Sequence, residues 1–161
     1  MQQKDTINNG PFTDVSLLPP SGRIVAIDPG TKRVGMAICD DLRITTRPLP
    51  RILRSSWKKL VLTVKNTIDD YDAKALVVGL PLESDGTDGE MTAEARRIAR
   101  NLSLSLDIPV FLQDERVTSY EAKSRLWEQG RDLQQTREMV DSEAAAIILS
   151  DFLDRVRGSS R

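Results

Sequence analysis

The apolar positions of this chain follow one period in its first third and mostly another afterwards. Residues 23–28, 34–40 and 44–49 are short apolar runs of strand length, split by Pro29-Gly30 and by Asp40-Asp41. Three such runs with tight connections predict an antiparallel meander. From Trp57 the spacing becomes helical, with Trp57, Leu60, Val61, Val64 and Ile68 on one stripe and Ser55 or Ser56 as the start signal. This stripe assigns Trp57 to the core. Ala75-Leu76-Val77-Val78-Gly79 reads as a buried strand, followed by the polar loop 83–89 and a helix carrying Met91, Ala95, Ile98, Ala99 and Leu102 inward. Residues 109–113 form a further strand that runs into Asp114-Glu115-Arg116. Thr118-x-x-Glu121 then reads as a capping box opening another helix. The last helix is expected to open near Asp141-Ser142 and to bury Ala145, Ile148, Leu149, Phe152 and Val156. Residues 130–139 lack a period and are either a loop or an extension of the helix before them.

Polar, proline-containing residues 1–21 predict a disordered arm, and 158–161 a flexible tail, leaving one domain over 22–157. Within it, strands alternating with helices in the second half imply parallel pairing, which places sites outside the carboxyl ends of the strands. Asp28 ends the first strand, Asp114 and Glu115 end the last, and Asp141 starts a helix that must pack back on the sheet. Each acid also has a plain structural role open to it. Asp28 can cap a hairpin turn, Asp141 can cap a helix, and Asp114 and Glu115 can be a solvated strand end. It is their combination at one sheet edge that points to chemistry.

Composition then narrows that chemistry. The chain has no histidine and a single cysteine, Cys39, which sits in an apolar run and reads as a small core residue in a reducing compartment. A zinc site, a Ser-His-Asp arrangement and a Cys-His pair are ruled out. Any metal must be held by oxygen, which points to Mg2+ or Mn2+. No stretch is long enough to span a membrane and the N-terminus lacks the apolar core of a signal peptide, so the expected location is cytoplasmic. The net charge of −1 hides a polarity along the chain: residues 23–59 carry nine Lys/Arg against three acids, and residues 60–94 two against eight. The first third can therefore present a basic face to phosphates, or simply a solvated surface.

Four motifs carry a family resemblance: Ile27-Asp28-Pro29-Gly30-Thr31-Lys32-Arg33-x-Gly35, Val78-Gly79-Leu80-Pro81 with Asp85-Gly86, Asp114-Glu115-Arg116-x-Thr118, and Val140-Asp141-Ser142-x-Ala144-Ala145. In order and spacing they resemble the YqgF/RuvX family, over about residues 22–156. Members are described as Holliday junction resolvases or as nucleases maturing the 5′ end of pre-16S ribosomal RNA. The resemblance implies a ribonuclease H-like α/β fold, with a mixed five-stranded sheet (an antiparallel meander of three strands plus two parallel ones) flanked by helices. It also implies a metal centre made by Asp28, an acid of Asp114-Glu115, and Asp141. Glu115 is preferred over Asp114, although one residue of register decides between them. Gly30, Thr31, Lys32, Arg33, Gly79, Arg116 and Thr118 are the expected nucleic-acid contacts, with Lys32, Arg33 and Arg116 as charge-assisted donors to phosphate. Backbone at Gly30, Gly79 and Gly86 could approach a strand closely. Pro29 stands where members often carry another residue, and residues 130–139 match less closely.

Asp-x-Gly-Thr-x-x-x-Gly after a strand also resembles the phosphate loop of actin-like kinases and chaperone ATPases. Those need two such domains, and this chain has room for one. A non-catalytic nucleic-acid-binding module of the same fold is the other rival. Aromatic residues that could stack on bases are few, with Tyr120 the best placed. The expected partner is an rRNA precursor, with branched DNA second. A resolvase calls for a homodimer, whereas a processing ribonuclease can act as a monomer.

Overall fold

The computed structural model describes residues 10–30, 32–83, 85–115 and 133–159, with side chains in the last segment from 142 to 158. The strands are β1 (Ile24–Pro29), β2 (Arg33–Cys39), β3 (Thr46–Leu53), β4 (Ala75–Pro81) and β5 (Val110–Glu115). The helices are α1 (Trp57–Tyr71), α2 (Glu90–Ser105) and α3 (Leu133–Ser159). The five strands form one sheet in the order β3-β2-β1-β4-β5. β1, β2 and β3 pair antiparallel in sequence, while β4 joins β1 and β5 joins β4 in parallel. This is the expected mixed sheet.

Side-chain alternation splits the core into two layers. Val25, Ile27, Met36, Ile38, Leu76, Val78, Val110 and Leu112 face Leu60, Val64 and Ile68 of α1 and Ala95, Ile98, Ala99 and Leu102 of α2. Ile24, Ala26, Ala37, Cys39, Ala75, Val77 and Phe111 face Ala145, Ile148, Leu149, Phe152 and Leu153 of α3. β1 and β4 are buried on both faces, which is why they read as continuous apolar runs. α1 is capped by Ser56, whose hydroxyl accepts from the Lys59 N–H, and it stops at Asp72 in the left-handed region (φ 52°).

Four expectations about elements need correction. β3 lies at Thr46–Leu53 rather than 44–49, because Pro48 and Pro50 obscure its period. On an edge strand their missing N–H groups are tolerated. α3 starts at Leu133, well before Asp141, so 133–139 is helix and the helix continues through Gly158. Residues 10–21 are not an unstructured arm. The Phe12 N–H bonds the Val110 carbonyl, the Leu112 N–H bonds the Phe12 carbonyl, and the Phe12 ring lies 5.9 Å from that of Phe111. The open edge of β5 supplies those partners, which no local pattern in residues 10–21 announces. Trp57, assigned to the core, is 39% exposed because it stands at the first position of α1, above the buried stripe.

The helix expected from Thr118, together with Tyr120, Trp127, Thr31, Arg116 and Thr118, lies outside the described residues, as does the side chain of Asp141. Among the described residues no helix is long and apolar enough to cross a membrane.

Candidate active site

Strand parity decides which acids share a face. On β1, Ile24 and Ala26 point toward α3, so Asp28 continues that stripe at the carboxyl end of the strand. On β5, Phe111 points toward α3, which carries Gln113 and Glu115 with it. Asp114 belongs with Val110 and Leu112 on the other face. Burial agrees: Asp114 is exposed, whereas Glu115 is half-buried with Oε1 shielded from solvent. Asp28 and Glu115 thus face the same helix from the same edge. They are separated by β4, which puts their strands about 10 Å apart, and Glu115 lies two residues further along than Asp28.

α3 is locked onto this edge by Ser142. Its side chain is 2% exposed, and its hydroxyl donates to the Leu49 carbonyl (2.5 Å) and accepts from the Met36 N–H (3.4 Å). The bridge crosses β2 and β3 where their register shifts between Val34 and Met36. Met36 pairs with Ile27 and Gly35 with Asp28, so residue 141 of the α3 backbone is held at the level of Asp28. Ala145, Ile148 and Phe152 make up the stripe of α3 that faces the sheet. The sequence signal for Ser142 was present as a neighbour of Asp141, but a buried hydroxyl bridging two strands cannot be read from spacing.

The turn after Asp28 is held from outside the sheet. Gly30 is needed there, because a Cβ would sit 2.5 Å from the Arg33 carbonyl oxygen. The Gly30 carbonyl accepts from Arg54 Nη1 (2.9 Å), and the Arg54 N–H donates to the Lys32 carbonyl (2.9 Å). Arg54 Nη2 also meets Glu94 of α2 at 3.1 Å, and Glu94 is paired with Arg97 as well. Arg54 therefore ties the turn to α2, a role that sequence reasoning did not assign. Lys32 and Arg33 are exposed beside the turn. Gly79, expected to let a strand approach, instead gives room to Ile148 of α3, with which any added Cβ would collide. Gly86 occupies a loop turn at φ 87° and bonds the Glu83 carbonyl.

Among the described residues no three acids lie close enough to hold a metal, and of the expected set the side chain of Asp141 lies outside them. Gln113, level with Gly79 and so with Asp28, also faces α3, and its Oε1 is buried. Cys39 is remote from this edge. Its sulfur accepts from the Ile24 N–H, and burial pushes its pKa up.

The RuvX family, described as Holliday junction resolvase, matches residues 22–155. The chain belongs to this family. A protein of Syntrophus aciditrophicus is 38% identical over 134 residues, covering 83% of this chain and 89% of its own. Relatives from Anaeromyxobacter dehalogenans (39% identity; 83% of this chain, 97% of theirs) and Koribacter versatilis (39%; 87% and 91%) are equally similar. All three carry pre-16S rRNA nuclease in their names. Among solved structures, Thermus thermophilus RuvC in complex with a Holliday junction substrate superposes with a TM-score of 0.50 at 16% identity, covering 83% of this chain and 95% of RuvC. The fold of this RuvX member is ribonuclease H-like.

Proposed function

We propose that this RuvX member is a divalent-metal-dependent nuclease that hydrolyses phosphodiesters, acting in the cytoplasm on the 5′ end of precursor 16S rRNA. One observation carries the reading. Strand register puts Asp28 and Glu115 on the α3 face of one sheet edge, and the Ser142 bridge holds residue 141 at the level of Asp28. Relatives named as pre-16S rRNA nucleases support the substrate.

The donors fit Mg2+ or Mn2+, being carboxylate oxygens in a chain with no histidine. Asp28, Glu115 and Asp141 would hold the ions. Asp114 faces the other side of the sheet and is not a ligand in this reading. Carboxylates converging from three elements repel one another, so their joint ionisation favours cation uptake. When bound, the ions lower the pKa of water and neutralise charge building on the phosphoryl oxygens. The protein supplies position. Lys32 and Arg33 hold the phosphates that flank the scissile bond, with Thr31, Arg116 and Thr118 as further contacts. Arg54 keeps the Asp28 turn in place, and Ser142 keeps α3 in register.

The test is cleavage of a precursor rRNA 5′ leader beside a four-way DNA junction, with Mg2+ and with Mn2+. The expected result is metal-dependent cleavage of the leader that disappears in Asp28→Asn. Cleavage of the junction alone would transfer the assignment to branched DNA, and undiminished cleavage by Asp28→Asn would remove its basis.

A further inference from the structure

An open cavity of about 510 Å³ lies beside the Asp28 turn, between the start of α1 and the start of α2, lined by Arg54, Ser56, Trp57, Glu90, Met91 and Glu94. Arg54 connects it to the turn after Asp28, since its side chain bonds the Gly30 carbonyl and its backbone bonds the Lys32 carbonyl. Trp57 forms part of its wall and is 39% exposed, although the stripe to which it belongs by spacing is buried. A tryptophan left half in water beside a cavity has an aromatic face available to a planar partner.

Charge is arranged to match. Lys58 and Lys59 follow Trp57 in the first turn of α1, which has no acidic residue. Cations there oppose the helix dipole, so they do not serve the stability of the helix. Both are exposed, and neither is ion-paired among the described residues. Inside the cavity the balance reverses. Glu90 and Glu94 present carboxylates, and Glu94 is already engaged by Arg54 and Arg97. A phosphate would be repelled from that interior but attracted to its cationic rim. A nucleobase has the opposite fit: a π-face for Trp57, an apolar contact with Met91, and exocyclic amino groups that suit carboxylate acceptors.

We infer that this cavity takes an unpaired nucleobase of the bound strand, on the α1/α2 side of the Asp28 turn, stacked on Trp57, while its backbone phosphate rides on Lys58 and Lys59. The inference rests on the nuclease reading and adds to it a requirement for single-stranded substrate at that position. A base inside a duplex keeps both faces covered by its neighbours and cannot enter.

The experiment measures binding, without turnover, in Asp28→Asn with EDTA. Fluorescence anisotropy of a short labelled single-stranded RNA gives affinity. In a Trp127→Phe background, where Trp57 is the remaining tryptophan, intrinsic fluorescence gives stacking directly. The single strand is expected to quench Trp57, and a blunt duplex of the same sequence is expected not to. Trp57→Ala should weaken single-strand binding by about 5- to 100-fold, and Trp57→Phe should retain most of it. Equal affinity in Trp57→Ala and its parent, or equal quenching by the duplex, would overturn the inference. The two readings fail separately. Cleavage that survives Asp28→Asn refutes the catalytic assignment while quenching still supports the cavity. Asp28-dependent cleavage without quenching refutes the cavity alone.

Discussion

Two turns at opposite ends of the first hairpin each begin with an aspartate, and they use it differently. Asp40, after β2, bends its carboxylate back on its own loop, accepting from the Ile44 and Thr45 N–H groups at 2.7 and 2.8 Å. Those bonds, led by Thr45, hold its pKa below the usual carboxylate range. The Asp40 end is closed further by Arg43, which donates to the Gly22 and Pro19 carbonyls. Asp28, after β1, continues a core-lining stripe toward α3, and Arg54 holds its turn at the Gly30 carbonyl. Identical residue types at strand ends are told apart by strand parity and by the side chains that brace each turn.

That contrast is open to direct attack. The largest effect is expected for Asp28→Asn, which should lower metal-dependent cleavage by on the order of 1000-fold with the fold intact, as checked by circular dichroism. Asp40→Asn should leave cleavage unchanged and lower Tm instead. Its depressed pKa means that the stabilisation by Asp40 is present at neutral pH and is lost as pH falls through the folded-state pKa. A melting series at decreasing pH should therefore converge for wild type and Asp40→Asn. The next effect concerns the α3 side of the edge. Ser142→Ala strands the Met36 N–H and the Leu49 carbonyl, and urea denaturation should show a loss of about 1–3 kcal/mol. Because it also frees residue 141, kcat should fall more than KM rises. Gly79→Ala forces a methyl group against Ile148 and should cost a similar amount, about 1–3 kcal/mol, by overpacking. Arg54→Ala removes the Gly30 bond and the Glu94 pair, both partly solvated, and should cost about 1 kcal/mol while loosening the Asp28 turn. Smallest of all, Cys39 should resist alkylation in the native state, because burial both hides the thiol and raises its pKa.

The sheet was readable wherever a strand is buried on both faces. β1, β2 and β4 announce themselves as unbroken apolar runs, and the turns between them carry proline, glycine or aspartate. β3 was misplaced because prolines at an edge break the period without breaking the strand. The start of α3 was missed because its first turns carry no apolar stripe to mark them. The Phe12 segment was missed because what orders it is the open edge of β5, an element almost a hundred residues away. Motif order singled out the candidate acids, but which face of β5 each of Asp114 and Glu115 occupies needed the observed register of that strand. Arg54 and Ser142 were invisible for a related reason. Each acts through a backbone carbonyl or amide that only the folded chain brings within reach.

In the proposed site Asp28, Glu115 and Asp141 supply the oxygen donors and Asp114 does not. Calorimetric titration of Mn2+ into wild type and into Asp28→Asn, Glu115→Gln, Asp141→Asn and Asp114→Asn tests it without reference to any substrate. Weakened binding in the first three variants and wild-type binding in Asp114→Asn is the predicted result. Wild-type binding in Glu115→Gln, with loss in Asp114→Asn, would contradict it.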